Sequence, residues 1–167
     1  MNKKQVGALL KIISKDTARE VLTLAHIAEY DGEIVLQGTD GYVLAMIKLD
    51  KEDAQEYVGK SIRRASLEKW YKLATGKSRL DTQELINVLN EDYGQYGEFE
   101  GSQYPDFKVV LDNAKLKEVD EIVFNADFAK NLQDLNNGNA LRYKMHGKLA
   151  PMIATSDLGT FVLMPMK

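Results

Sequence analysis

Residues 20–49 read EVLTLAHIAEYDGEIVLQGTDGYVLAMIKL, and the punctuation of this stretch decides the fold. Three runs rich in apolar and β-branched residues, Glu20 to Tyr30, Glu33 to Gln37 and Tyr42 to Leu49, are separated by Asp31-Gly32 and Asp40-Gly41. Asp-Gly between such runs is a strong hairpin signal, because a type I′ turn needs positive φ at both central residues. The spacing predicts a three-stranded antiparallel meander. Upstream, Val6, Leu9, Leu10 and Ile13 fall at i, i+3, i+4 and i+7, which predicts a helix over Gln5 to Ser14.

The same order recurs twice downstream. In the second stretch a short strand at Lys60 to Arg64 leads into a helix capped by Ser66, with Leu67, Trp70, Tyr71 and Ala74 on one face and a stop at Gly76. Strands are expected at Arg79 to Thr82, Leu85 to Leu89 and Gly97 to Ser102. In the third, a strand at Glu121 to Phe124 precedes an Asn125 cap and a helix bearing Phe128, Leu132 and Leu135, closed by Gly138. Strands at Ala140 to His146, Ala150 to Thr155 and Thr160 to Met164 complete it. The expected class is α+β, built from repeated units of a helix plus a three-stranded antiparallel meander. Two units, 1–50 and 60–111, form a domain spanning 1–111. A third unit at 117–167 packs with them into one body or is shared between chains. A single unit cannot bury both its helix face and its sheet face, so the units must pack together.

Composition sets the class. Hydrophobic residues make up 44% and charged residues 28% of the 167, which suits a globular core and argues against disorder. No run approaches the roughly 18 apolar residues of a membrane span, and no signal peptide is read at the N-terminus. The absence of cysteine excludes disulfides and thiolate metal sites and fits a reducing cytoplasm. With a net charge of −3, contact with nucleic acid would require the cations to be segregated onto one face.

Three motifs sit at set places in this scheme. Thr39-Asp40-Gly41-Tyr42-Val43-Leu44-Ala45 resembles the TDG hairpin of the bacterial DNA sliding clamp, the β subunit of DNA polymerase III. Tyr104-Pro105-Asp106-Phe107-Lys108-Val109-Val110-Leu111 resembles the segment that closes a clamp's middle domain, and Phe161-Val162-Leu163-Met164-Pro165-Met166-Lys167 its C-terminal strand. The resemblance covers the family's middle domain and the second half of its last. It implies a non-catalytic processivity factor whose helices line a ring around double-stranded DNA. It also implies a hydrophobic pocket for a peptide of a polymerase or other replication or repair protein. Carried over by motif, that pocket comprises Thr39, Gly41, Tyr42, Val43, Leu44, Val162, Met164, Pro165 and Met166. At Val43 the family usually has a basic residue. Methionine suits a pocket that accepts several sequences, being unbranched and polarizable.

Charge partly segregates as the resemblance requires. Lys4, Lys11 and Lys15 lie on the first helix away from its apolar face; Lys69 and Lys72 lie on the second, flanked by Arg63, Arg64 and Lys77. These eight are the candidate DNA-facing residues, which would touch phosphates without reading bases. The third helix disagrees, since Asp127 and Asp134 outweigh Lys130. A solvated lysine face is the competing reading.

Catalytic readings find little support. Gly59-Lys60-Ser61 and Gly76-Lys77-Ser78 lack the upstream glycine of a P-loop, with Ala54 and Tyr71 in its place. His26 and His146 have no ligand partners at metal spacing. Glu91-Asp92 reads as a solvated turn, and Trp70 and Tyr71 as core. No catalytic residue, cofactor or metal is expected. Against a family ring of twelve units, three units per chain suggest a homo-tetramer, served by a clamp loader and of phage-like economy. The alternative is a clamp-like adaptor or decoy that binds replication proteins, or a host clamp, without encircling DNA.

Overall fold

The computed structural model describes residues 1–101 and 103–166. The first unit forms as its pattern predicts, with two exceptions: Glu20–Thr23, expected to begin the first strand, is a 3-10 turn, and at Asp40-Gly41 only the glycine takes the positive φ of a type I′ turn. Helix α1 (Lys3–Ile12) starts at Asn2, whose side chain accepts from the Gln5 amide while the Gln5 side chain accepts from the Asn2 amide. This reciprocal box satisfies two donors that a helix start otherwise leaves open. After a 3-10 turn at Thr17–Thr23 come β1 (Leu24–Tyr30), β2 (Glu33–Thr39) and β3 (Val43–Lys48). Asp31 and Gly32 both take positive φ, as a type I′ turn demands.

The second unit keeps its first strand and its helix, then departs. A short helix α2 (Lys51–Ala54) leads to β4 (Ser61–Arg63) and α3 (Arg64–Leu73). Ser66 does not cap α3: the helix starts earlier, and Ser66 donates its hydroxyl to Asp92. It ends at Leu73, before Gly76. Of the expected strand at Arg79–Thr82 only an isolated bridge from Arg79 to Asn2 forms, and the one at Leu85–Leu89 is replaced by a helix, α4 (Thr82–Tyr96). The expected strand from Gly97 is absent through Gly101, and Ser102 lies outside the described residues. The reason is local: Asp81 caps the Glu84 amide, and Leu85, Val88, Leu89 and Asp92 recur at i, i+3, i+4 and i+7 on the buried face. Asp92 is therefore buried in a helix, not exposed in a turn.

Helix α5 (Lys108–Asp112) follows, then α6 (Ala126–Leu135), β5 (Met152–Ser156) and β6 (Gly159–Leu163). Asn125 caps α6 through the Asp127 amide; the helix ends at Leu135, three residues before Gly138, where Asn137 turns left-handed at φ 57° and the Gly138 amide donates back to the Gln133 carbonyl. Glu121–Phe124 is not a strand. Ala140–His146 pairs only through Lys144 and Ile153, so it flanks the sheet without joining it as a strand. Lys167, the basic end of the last motif, lies outside the described residues.

The six strands form one antiparallel sheet in the order β4-β1-β2-β3-β6-β5. The inner face carries Ala25, Ile27, Leu36, Ala45, Phe161 and Leu163, packed under α1, which itself packs against α6 and α3. The outer face carries Val35, Leu44, Met46 and Val162, covered by Phe107 and Leu111 around α5. Period-2 alternation thus splits the central strands between two hydrophobic layers. No described helix is long and apolar enough to cross a membrane.

Candidate peptide pocket and basic helix face

The Thr39–Val43 corner is held by its own side chains. Asp40 Oδ1 accepts from the Tyr42 amide at 2.8 Å and the Val43 amide at 3.0 Å. Thr39 Oγ1 accepts from the Gly41 amide at 3.0 Å and donates to the Val43 carbonyl at 2.7 Å. Gly41 sits at φ +97°, where a side chain would be strained and would press on the Arg19 guanidinium. The Thr39 and Asp40 side chains thus satisfy the loop backbone, and Gly41 makes the reversal possible.

Across the β3–β6 seam, Leu44 faces Val162, and the Met164 amide donates to the Tyr42 carbonyl at 2.9 Å. The corner, the end of β6 and α5 enclose a cavity of about 180 Å³. Thr39, Gly41, Tyr42, Val43, Leu44, Val162 and Met164 line it. Pro165 and Met166 do not: the Met166 amide turns to the Val123 carbonyl at 2.7 Å. Phe107, Val110 and Leu111 supply a wall that the sequence motifs did not assign to the pocket. They belong to the YPDFKVVL segment, which lies across the outer sheet face, with Tyr104 stacked on His26 at 4.6 Å between ring centroids. Burial pushes the Tyr104 hydroxyl's pKa up and the His26 imidazole's down, each toward its neutral form. None of the cavity's lining side chains is charged at neutral pH. Its volume lies below the roughly 300–1,000 Å³ of small-molecule sites, room for one or two apolar side chains.

The eight candidate DNA-facing cations do not form one set. Lys4, Lys11 and Lys72 converge on a groove across α1 and α3 that Gly7, Tyr71, Glu68 and Asp134 also line. Lys4 pairs with Asp134 at 2.9 Å. That bond, aided by Lys130, holds the Asp134 carboxyl below its ordinary range. Lys15 and Lys77 are exposed beyond the ends of α1 and α3. Lys69 points to the other side of α3, toward Glu91 on α4 at 3.4 Å.

The arginines are spent inside the molecule. Arg64 donates to the Leu10 and Ile13 carbonyls at the end of α1, the second at 2.8 Å, and to Glu68 at 2.8 Å. It joins α3 to the C-terminus of α1, where a cation is favoured. Arg63 donates to Asp92 at 3.0 Å and to the Gly97 carbonyl at 2.9 Å. Between α3 and α4 lies a wider polar cleft of about 740 Å³, where the Trp70 indole donates to Glu84 at 2.9 Å. Among the described residues no three acidic or imidazole groups gather as a metal site.

No protein-family model matches the chain, and no curated protein does. Solved structures do. The β subunit of DNA polymerase III from Caulobacter crescentus superposes with a TM-score of 0.56 at 13% identity, over 100% of this chain. The sliding clamp (DNA polymerase III subunit β) of Bartonella birtlesii, solved bound to griselimycin, gives 0.59 at 15% over 99%. A C. crescentus β sliding clamp with polyethylene glycol at the region assigned to tether a β-motif gives 0.53 at 14% over 100%. The fold is that of a bacterial sliding clamp. The chain spans 64% of the length of each of these clamp chains.

Proposed function

We propose that this chain is a non-catalytic, clamp-like replication accessory protein that receives an apolar peptide of a polymerase or repair factor in the Thr39–Met164 pocket. The observation that carries the proposal is the convergence of the TDG corner, the end of β6 and α5 on one uncharged cavity within a clamp fold. The griselimycin complex of the Bartonella clamp supports it by showing a solved protein of this fold with a ligand bound. Replacing Leu44 and Met164 together by Ser should weaken a labelled clamp-binding peptide at least about tenfold while leaving the far-ultraviolet circular dichroism unchanged. Two anchoring contacts of roughly 1 kcal/mol each would account for that. Unaltered affinity would remove the pocket.

DNA is proposed to lie against the helix layer, on the groove of Lys4, Lys11 and Lys72, as a ring of several chains. Retention on nicked circular DNA, compared before and after linearisation and read with light scattering, tests this. Topological retention should vanish on linearisation. Reversing Lys11 and Lys72 to Glu should lower the log–log salt slope of binding by about two. Equal retention on circular and linear DNA would exclude encirclement.

One observation favours the ringless adaptor as the second reading. The β4 edge of the sheet is sealed: the Ser61 amide donates to the Tyr93 hydroxyl at 3.2 Å and the Arg63 amide to Asp92 at 3.4 Å. A ring closed head to tail by sheet extension needs two open edges on each chain.

A further inference from the structure

The register of the sheet draws a line outward from the pocket. Thr39 pairs with Leu44, Leu44 with Val162, Val162 with Ile153, and Ile153 with Lys144. Directly paired residues share a face, so all five lie in one row across the outer face. The row begins in the uncharged cavity, crosses the half-buried Ile153 and ends on an exposed cation. Arg142, two residues from Lys144 and exposed like it, extends the cationic end, while Leu141, Tyr143 and Met145 pack toward the inner core. Among the described residues neither Arg142 nor Lys144 has an acidic partner, whereas the neighbouring Lys148 reaches Glu121 at 3.8 Å.

Two strand spacings separate Val162 from Lys144, roughly 10 Å, or about three extended residues. Resting on the reading of the cavity as a peptide site, we infer that the bound peptide runs across β6 and β5, with its apolar anchor in the cavity and an acidic residue three or four positions away on Lys144 and Arg142. The occupant follows from complementarity: an uncharged cavity selects apolar side chains, and unpartnered cations at the end of the same row select a carboxylate. A second copy of this chain is a poorer occupant, since an antiparallel self-pair about Tyr143 sets Arg142 opposite Lys144.

The probe is a set of fluorescein-labelled peptides with a Leu-Phe anchor in a Gly-Ser background. Each carries one Glu, or Gln as its control, three or four positions before or after the anchor. In one orientation the Glu peptide should bind roughly fivefold tighter than its Gln control, an advantage lost at about 0.5 M salt. Lys144→Glu should abolish or invert the preference and leave the Gln peptide within about twofold of its wild-type affinity. Equal binding of all Glu and Gln peptides to the wild-type chain would overturn the charged extension and spare the apolar pocket. Failure of every peptide, Gln controls included, would overturn both.

Discussion

Replacing Gly159 by Ala is expected to destabilise the fold by on the order of 3–4 kcal/mol, with the loss concentrated where the third unit joins the first. Gly159 opens β6 at φ +156°, opposite Ile47 on β3 and Ser156 on β5. A Cβ there would stand 1.9 Å from the Met46 carbonyl oxygen and 3.1 Å from the Ile47 Cα. Both atoms are backbone, so no rotamer change relieves the clash; β6 must retreat from β3 or the turn must be rebuilt. Five paired positions run along this seam, from Ile47–Gly159 to Val43–Leu163. Phe161, completely buried, hangs from the same strand. Urea unfolding of the Gly159→Ala chain should show the lowered midpoint. Because Leu44 and Val162 face each other across the seam, peptide affinity should fall with it. Stability within about 0.5 kcal/mol of wild type would mean that β3 and β6 do not approach as closely as their register requires.

How far the fold is legible in the sequence varies with how local its causes are. The first unit can be read because each signal lies within a few residues: apolar period in α1, alternation in β1 to β3, Asp31-Gly32 at the turn. Helix α4 carries equally local signals, an Asp81 cap and an apolar period from Leu85 to Leu89, but Asp92 occupies the next buried position where an apolar residue is expected. Its burial depends on Arg63 and Ser66, 29 and 26 residues away, which no window of local pattern contains. The expectation of a repeated meander then turns a helix into strands. The site shows the same division. The Thr39–Leu44 corner explains itself, whereas the approach of Val162 and Met164 comes only through the family resemblance. The YPDFKVVL segment stands out as a motif, yet its placement over the outer sheet face is tertiary, so Phe107, Val110 and Leu111 do not read as pocket wall. Arg63 and Arg64 read as free cations for the same reason, since all their acceptors but Glu68, one turn from Arg64, lie 29 to 54 residues off.

Removing the Asp92 carboxylate should have the second large effect, on stability and on association together. Its side chain is fully buried; one oxygen meets the Arg63 guanidinium and the Arg63 amide, and the other accepts from Ser66. Asp92→Ala leaves a guanidinium, an amide and a hydroxyl without their acceptor, at a cost of about 2–3 kcal/mol. This cost sits at the low end for buried pairs because Arg63 keeps some solvent and a second acceptor, the Gly97 carbonyl. Asp92→Asn, which keeps the volume and one acceptor, should lose less. The same carboxylate and the Tyr93 hydroxyl block the outward amides of β4, so Asp92→Ala combined with Tyr93→Phe should unseal a sheet edge. An unsealed edge is a template for another strand, and the doubly substituted chain should self-associate with rising concentration in light scattering. Association in that variant but not in the wild type would make α4 the element that limits assembly at this edge, and would weigh toward the ringless reading. A wild type that already forms closed oligomers through β4 would show that α4 swings away, and the midpoint of Asp92→Ala would then hardly move.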